Sequence, residues 1–316
     1  MTGESRTGSP SAATDHENVD RVGLGAGILA MMLWASGGVL AKGIELPGLT
    51  VISYRMLLYV GLVIVWARLR GTPLTKLGLR TAFIGGLMLG IDLAFFYIAV
   101  KETTIANATV IGACQPVIAL AIGPIFFNER PRLRDVVLAM VAVAGVVIVV
   151  LGSSGVPEWS IWGDLAAFGA LVFFTLYFTA SKAAGGIVTP TEYTAGTAVW
   201  ATLFVVPVTL ISGVELGPPN ANSWIALIVL ALVPGMTGHL LMNFSFTKIP
   251  LWLGSTLTLF IPVASTLLAY AFLDEDVEPI QFVGMAVVIG ALMAIIIRPA
   301  QLRALRPGPI RVSQPR

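Results

Sequence analysis

Residues 104–135, TIANATVIGACQPVIALAIGPIFFNERPRLRD, decide the fold of this chain because a second stretch follows the same plan. Residues 251–281 read LWLGSTLTLFIPVASTLLAYAFLDEDVEPIQ, and Pro262 lies 146 positions after Pro116. Each stretch is an apolar segment that carries a proline and ends in a carboxylate. Two copies of a proline-broken apolar helix in one chain predict an internal structural repeat.

The composition points to lipid as the solvent. Of 316 residues, 56% are hydrophobic and only 11% are charged, and the mean hydropathy is +0.88. A soluble domain is about a quarter charged. The formal net charge of +2 is too small to argue for a nucleic-acid partner. The lipid bilayer is therefore the expected surroundings of this chain.

Ten apolar segments are long enough to cross a bilayer core, which takes about 20 residues as a helix. The chain is thus predicted to be an all-α integral membrane protein with ten transmembrane helices, and its short loops leave no room for a second, soluble domain. The segments are 22–42, 49–67, 80–100, 104–127, 133–152, 160–181, 191–213, 223–246, 250–272 and 280–298.

Lys and Arg predict the orientation. With Arg55 inside the second segment set aside and the N-terminus in the cytoplasm, sixteen of them fall on the inside, against only Lys42 and Lys101 outside. The positive-inside rule then places both termini in the cytoplasm. The expected location is the inner (plasma) membrane. Residues 1–20 are polar and lack the apolar core of a signal peptide, so they are predicted to be a disordered tail. Residues 299–316 form a basic cytoplasmic tail.

The repeat extends beyond the two proline-broken segments. At an offset of 140, Trp34 aligns with Phe174 and Lys42 with Lys182, which matches the first segment to the sixth. At an offset of 147, Asp92 aligns with His239, which matches the third segment to the eighth. Five helices per half force the second half to enter the membrane upside down. The predicted units are two inverted five-helix repeats, residues 21–153 and 159–298.

These features resemble the EamA-like branch of the drug/metabolite transporter superfamily. The resemblance rests on the two five-helix units, the proline in the fourth helix of each, the endings FFNERP and AFLDED, the opening GAGILAMMLWASGGVLAKG and the SYRM that enters the second helix. It covers about residues 20–298. It implies export or import of small metabolites, amino acids, nucleotide sugars or drugs through a cavity between the halves, with export as the expected direction.

Asp92 is a candidate for coupling transport to protons. It lies near the middle of the third segment, where a carboxylate is costly unless it is paired, protonated or facing water. His239 occupies the corresponding position of the second half, and an imidazole can change protonation near neutral pH. Together they could bind a proton that moves with the substrate. The alternative is a structural hydrogen bond that holds the third and eighth helices together.

The two proline-broken helices are expected to line the substrate path. Asn107 and Gln115 share one helical stripe, and Pro116 frees a backbone carbonyl one turn earlier beside it. Such an acceptor is tolerable only next to protein or a water-filled cavity. Ser255 and Thr258 lie near Pro262 in the matching helix. The alternative is that these polar residues hold helices together and that the prolines only bend them.

Further candidates for the substrate site lie on other helices. Asn243 follows His239 by four residues and shares its face. Trp34 and Tyr177 lie inside their segments, where they could stack on a ligand, although core packing is the commoner role. Arg55 is expected to snorkel to the headgroups. Glu129 is expected to pair with its neighbouring arginines rather than to form a gate.

The sequence contains no motif for an enzyme of a known class. His239 is the only histidine in the predicted membrane region, and no GxSxG, HExxH or Walker A motif occurs. Cys114 is the only cysteine, which excludes an intrachain disulfide and a zinc site with Cys pairs. No metal or cofactor is expected. Without a motif for ATP, transport would be facilitated or driven by an ion gradient.

The sequence therefore predicts a carrier for small metabolites such as amino acids, or for small amphiphilic drugs, that works by alternating access. One alternative is a nucleotide-sugar or sugar-phosphate carrier, which would need several cavity cations for phosphate; only Arg55 and His239 are available. Another is a membrane protein that transports nothing and whose polar residues are all structural. The expected partners are the substrate, the bilayer and protons as coupling ion, and both a monomer and a homodimer are compatible with ten helices.

Overall fold

A computed structural model describes residues 20–42, 44–103, 105–153 and 160–304. These residues form α-helices and one π-helical segment, Ala231–Thr237. The helices are α1 (Arg21–Lys42), α2 (Gly48–Leu69), α3 (Lys76–Glu102), α4 (Ile105–Gly112), α5 (Gln115–Phe127), α6 (Leu133–Gly152), α7 (Ile161–Ala183), α8 (Pro190–Ile211), α9 (Ala221–Leu230), α10 (Gly238–Phe246), α11 (Leu251–Leu257), α12 (Phe260–Leu273) and α13 (Pro279–Ala304).

Within the described ranges, ten helical spans are long and apolar enough to cross a membrane, as predicted. Helices are required because lipid offers no hydrogen-bond partner to backbone N–H and C=O groups, which must be paired within the segment. Seven spans are single helices, and three are interrupted: α4 with α5, α9 with α10, and α11 with α12.

The fourth and ninth spans break close to their prolines, as the sequence predicts. The first break falls at Ala113 and Cys114, and the second at Thr258 and Leu259. Backbone bonds of the i to i+3 type close both breaks; among them, Val117 N donates to the carbonyl of Cys114 at 3.0 Å, and Ile261 N donates to that of Thr258 at 2.9 Å. The interruption of the eighth span is a π-helical segment around Pro234, which the sequence analysis missed.

The two copies also end in the same backbone geometry. Asn128 and Asp274 cap α5 and α12 in the left-handed conformation, each with φ of 52°. Short polar residues tolerate this conformation better than other non-glycine residues. The following glutamates then fold back: Glu129 N donates to the carbonyl of Gly123, and Glu275 N donates to that of Ala269. The internal repeat is therefore visible in local geometry as well as in residue types.

Asp20 begins the first span. Its Oδ1 accepts hydrogen bonds from the N–H groups of Val22 at 2.7 Å and Gly23 at 3.2 Å, which are unpaired donors of the first turn. Its Oδ2 lies 3.2 Å from Nζ of Lys248. The hydrogen bond from Gly23 and then that from Lys248 lower the pKa of Asp20 below its ordinary value. This contact links the start of α1 to the segment that follows α10.

Helices from the two predicted halves pack directly against each other. α3 packs along α7 and α8, α1 packs along α10 and α12, and α6 packs along α13. The largest fully buried side chains lie between them and include Tyr59, Tyr177, Phe178, Tyr193 and Phe246. The core is therefore built where the halves meet, and it contains an unusual share of tyrosine.

Glycine permits the closest of these contacts. Gly284 of α13 faces α6 so closely that an added Cβ would lie 2.7 Å from the carbonyl oxygen of Gly145 and 2.7 Å from Val149 N. A Cβ on Gly145 would in turn meet the carbonyl oxygen of Gly284 at 3.0 Å. Small residues allow such approaches in lipid, where van der Waals packing replaces the hydrophobic effect between helices.

Candidate functional site

A buried hydrogen-bond network joins α7, α8 and α10. Asn243 is at its centre: its Oδ1 accepts from the hydroxyls of Tyr177 at 3.1 Å and Ser181 at 2.6 Å, and its Nδ2 donates to Oγ1 of Thr194 at 2.8 Å. The Tyr177 hydroxyl also lies 2.9 Å from Nδ1 of His239. All of these residues are buried. The network satisfies polar groups that would otherwise be costly in the membrane.

The network fixes the tautomer of His239. An amide oxygen can only accept, so the single proton of the Tyr177 hydroxyl goes to Asn243. The hydroxyl oxygen then accepts from Nδ1–H of His239, which leaves Nε2 as an acceptor. Within the described ranges Nε2 forms no hydrogen bond with the protein. The imidazole thus presents a proton acceptor within the eighth membrane span.

Arg55 and Asp92 form a second polar group beside this network. They lie on α2 and α3, both partly buried, and their charges are near enough to interact. In the part of the chain that the structure describes, neither forms a hydrogen bond or a direct ion pair. Arg55 also acts electrostatically on Tyr59 and His239, and Asp92 on Tyr177. Both charged side chains therefore face the network without satisfying one another.

The structure places Arg55 deeper in its helix than the sequence suggested, and its contact with the headgroups stays a prediction. α2 begins at Gly48, so Arg55 lies two turns inside the helix, about 10 Å from its start at 1.5 Å per residue. Tyr59 follows one turn later on the same face and is 1% exposed. Tyr59 was not among the predicted site residues, although its spacing of four from Arg55 was a signal for it in the sequence.

Aromatic rings form a wall beside the two polar groups. The Trp34 ring lies 5.0 Å from that of His239, 5.9 Å from Phe174 and 6.0 Å from Phe178, measured between centroids. The indole Nε1 of Trp34 is buried and has no partner among the described residues. Gly238 makes this arrangement possible, because a Cβ there would lie 2.5 Å from Nε1. The wall can contact an apolar ligand while the indole N–H stays available as a donor.

The two helix breaks meet at Gln115 and Thr258. The Thr258 hydroxyl lies 3.0 Å from Oε1 of Gln115 and 2.6 Å from the carbonyl oxygen of Ser255, and its single proton can go to only one of them. Nε2 of Gln115 and Oγ of Ser255 are buried without a partner in the described chain. Asn107 lies apart from them. Its Nδ2 donates to Oδ1 of Asp164 at 3.1 Å, near the start of α7. The predicted lining residues therefore divide into a group at the breaks and Asn107 at one end of the bundle.

Asp92 and His239 do not bond to each other in the described structure. The structural Asp–His hydrogen bond that the sequence left open is thus absent, and Tyr177 takes the position of bonding partner to His239. The network also contains Ser181 and Thr194, which the sequence analysis missed. Tyr177 and Ser181 on α7 are spaced by four, as are His239 and Asn243 on α10, so two polar stripes face each other.

Among the described residues, Glu129 pairs with Lys182 and not with the neighbouring arginines that the sequence predicted as its partners. Its Oε1 lies 3.4 Å from Nζ of Lys182, and its two oxygens accept from the N–H groups of Leu251 at 2.7 Å and Trp252 at 3.3 Å. Lys182 in turn donates to the carbonyl of Ile249 at 2.8 Å. A single carboxylate thus ties the ends of α5 and α7 to the positive N-terminus of α11.

The comparisons with known proteins agree with this architecture. A model of the EamA-like transporter family matches residues 21–151 and again residues 161–297. The chain belongs to the EamA-like transporter family.

Relatives of this EamA-like protein are also named as transporters. "Uncharacterized transporter YetK" of Bacillus subtilis (strain 168) is 21% identical over 225 residues, which cover 70% of this chain and 67% of YetK. "Uncharacterized transporter YwfM" of the same organism is 26% identical over 225 residues, covering 69% and 73%. One solved crystal structure has a TM-score of 0.79 at 19% identity and covers 90% of this chain and 100% of its own; it shows a shared fold.

The EamA-like chain is therefore a multi-pass membrane transporter, and its family implies a small-molecule substrate. The family assignment that the sequence motifs suggested is confirmed.

Proposed function

We propose that this EamA-like transporter is a secondary-active or facilitative carrier that exports small metabolites such as amino acids, or small amphiphilic drugs, by alternating access. Its working units would be two inverted repeats, residues 21–153 and 159–298, that rock around a site near the bilayer midplane. Both termini would lie in the cytoplasm, and the protein would reside in the cell membrane.

The observation that carries this proposal is the pair of Arg55 and Asp92, charged side chains inside the bundle that the described protein leaves unpaired. Intramembrane charges are expensive and are found where they serve a ligand or ion pathway. The network around Tyr177 and Asn243 and the aromatic wall around Trp34 supply directional hydrogen bonds and apolar contact to the same region. Few polar groups on a largely apolar surface are typical of a small-molecule site.

We propose protons as the coupling ion. Asp92 and His239 Nε2 are the two intramembrane groups that could take up a proton without first breaking a hydrogen bond in the described protein. A phosphate-bearing substrate is disfavoured, because the only lysine or arginine that the described cluster contributes is Arg55.

Transport by purified protein in liposomes tests the proposal. Proteoliposomes are loaded with a panel of labelled amino acids, lipophilic amines and a sugar phosphate, and efflux is measured with and without an imposed pH gradient. The proposal expects efflux of at least one amino acid or amine that exceeds efflux from protein-free liposomes. It is abandoned if no compound moves, or if the sugar phosphate alone moves.

A further inference from the structure

We infer that the turn between α5 and α6 is a binding site for an anionic phospholipid, in which the guanidinium groups of Arg130 and Arg134 hold the phosphate of the headgroup. The inference concerns the surface of the protein rather than the substrate path, so it stands or falls independently of the carrier function proposed above. It gives these arginines a partner other than Glu129.

The chain builds this turn twice, with opposite charge. The first copy reads NERPRLRD, residues 128–135, and the second reads DEDVEPIQ, residues 274–281. In both copies the first residue caps the preceding helix with φ of 52°, and the N–H of the second residue donates to the carbonyl six positions earlier. Because the same backbone geometry forms with either charge, the turn itself does not require arginine. Its positive charge is explained instead by what the turn faces.

The preceding carboxylate does not neutralise these arginines. Glu129 is directed to Lys182, 3.4 Å away, and to the N–H groups at the start of α11. The turn then retains three arginines against one carboxylate, Asp135. Arg130 and Arg134 are exposed, and within the described ranges neither forms an ion pair with a carboxylate. Two guanidinium groups are thus available to an anion.

The turn lies at the level of the lipid headgroups. It joins two membrane spans, the first ending at Phe127 and the second starting at Leu133. Phe126 is 68% and Leu133 is 79% exposed, so apolar side chains flank the arginines. Nη2 of Arg134 donates to the carbonyl of Ala294 on α13 at 3.1 Å, which holds this guanidinium beside the contact of α6 with α13 and leaves its other N–H donors for a ligand.

The chemistry of the turn selects a phospholipid with net negative charge. The planar fork of arginine matches two oxygens of a phosphate group, and basic groups at the cytoplasmic ends of membrane helices bind anionic headgroups. A headgroup that carries its own cation would gain less from two arginines. A soluble phosphate ester has no acyl chains to contact Phe126 and Leu133. An anionic phospholipid satisfies both the charged and the apolar parts of the surface.

Native mass spectrometry of detergent-purified protein tests the inference on the unaltered chain. Phosphatidylglycerol, phosphatidylcholine with the same acyl chains, and glycerol phosphate are titrated separately, and the bound fraction is measured. We expect phosphatidylglycerol to bind about tenfold more tightly than either of the others. Equal binding of the two lipids overturns the inference, and so does glycerol phosphate that binds as tightly as phosphatidylglycerol, since the ligand would then be a soluble phosphate.

Paired substitutions locate the site. Arg130→Gln combined with Arg134→Gln is expected to weaken binding of phosphatidylglycerol about tenfold and to leave binding of phosphatidylcholine unchanged. Arg68→Gln combined with Arg70→Gln is the matched control, because it removes two exposed arginines at the end of α2, and it should leave both affinities unchanged. Equal losses in the two pairs would show a general attraction to positive surface and overturn the site.

A second pair keeps the test decisive if loss of charge disturbs insertion into the membrane. Arg130→Lys combined with Arg134→Lys preserves the positive charge that sets the orientation, but an ammonium group cannot form the two parallel hydrogen bonds of a guanidinium. Its affinity for phosphatidylglycerol should lie between those of the wild type and the glutamine pair. A lysine pair that elutes as a single species and binds as tightly as the wild type overturns the assignment to the guanidinium groups.

Discussion

Asp92 is the residue whose charge state most affects the proposed mechanism. The ionisable groups that interact with it or with its neighbour Arg55 come from three helices and are Tyr59, Tyr177 and His239. If a proton moves with the substrate, the carboxylate must be able to gain and lose it during each cycle. His239 adds an acceptor at Nε2, since Nδ1 is engaged with Tyr177.

We expect Asp92→Asn to abolish the stimulation of efflux by a pH gradient while exchange without a gradient persists. The amide has nearly the same shape as the carboxylate but cannot take up a proton in this range. Efflux from proteoliposomes at matched and opposed pH measures the effect. Asp276→Asn, an exposed substitution of the same kind, should retain the stimulation. An unchanged response in Asp92→Asn would rule out coupling through this residue.

Some residues of the candidate site were easier to predict from the sequence than others. Asp92 and His239 were visible because a charged or ionisable group in an apolar run is conspicuous. Tyr59 was not, because a tyrosine within an apolar segment has the same pattern as an ordinary core residue. What distinguishes it is its complete burial with its ring 5.7 Å from that of His239, which depends on distant parts of the chain.

At the scale of elements, the contact between the ends of α5, α7 and α11 is the clearest candidate for a gate. It lies at the predicted cytoplasmic end and depends on Glu129, which accepts two N–H donors from α11 and pairs with Lys182. A narrow crevice lined by Thr247, Tyr193 and Asn243 lies next to it, between the ends of α7 and α10. Alternating access would require this contact to break whenever the site opens towards the cytoplasm.

We expect Glu129→Gln to loosen that end of the bundle. The neutral amide loses the ion pair and accepts weaker hydrogen bonds from the α11 N–H groups, which amounts to about 1.4 kcal/mol or a tenfold change in opening. In a Cys114→Ser background, a Thr247→Cys thiol should react about tenfold faster with a maleimide when Glu129→Gln is added. Glu278→Gln, at the start of α13, should leave the rate unchanged. No acceleration in Glu129→Gln would show that this contact is not a gate.

The pairing of α6 with α13 makes a second prediction for an element. Gly284→Ala would place a methyl group against backbone atoms of α6 that cannot move aside, and overpacking of this kind costs about 1–3 kcal/mol. Its thermal unfolding midpoint in detergent, followed by circular dichroism, should fall. Gly290→Ala on the same helix meets no atom within 4 Å and should leave the midpoint unchanged or raise it slightly. Equal midpoints for the two variants would contradict the close packing.

The helix breaks show which elements the sequence could and could not predict. Pro116 and Pro262 lie at interruptions, but Pro124 and Pro207 lie inside continuous helices. Pro234 instead gives a π-helical segment that precedes His239. A proline removes one hydrogen bond wherever it occurs, and packing decides whether the helix then breaks, widens or continues. The duplicated position, rather than the proline itself, was what made the first two predictable.

At the scale of the whole molecule, the orientation follows from charge and can be measured. A membrane-impermeant maleimide should label a thiol at Asp276→Cys in intact cells or spheroplasts, and one at Arg130→Cys only after the membrane is permeabilised. Both positions are exposed in loops at the ends of their helices, and each variant would carry Cys114→Ser to remove the only native thiol. The positive-inside distribution is the physical reason for this result. The reverse labelling pattern would place both termini outside.

The sequence by itself determined the helical class, the ten spans and the family, because lipid permits so few backbone solutions that length and hydropathy suffice. It also identified Asp92, His239 and Asn243 as unusual residues for their surroundings. Only the tertiary structure decided the partners: that His239 bonds Tyr177 rather than Asp92, and that Glu129 reaches α11 rather than its neighbouring arginines. Such pairings join residues more than 60 positions apart, and their distances depend on how helices pack, which no local pattern in the chain encodes.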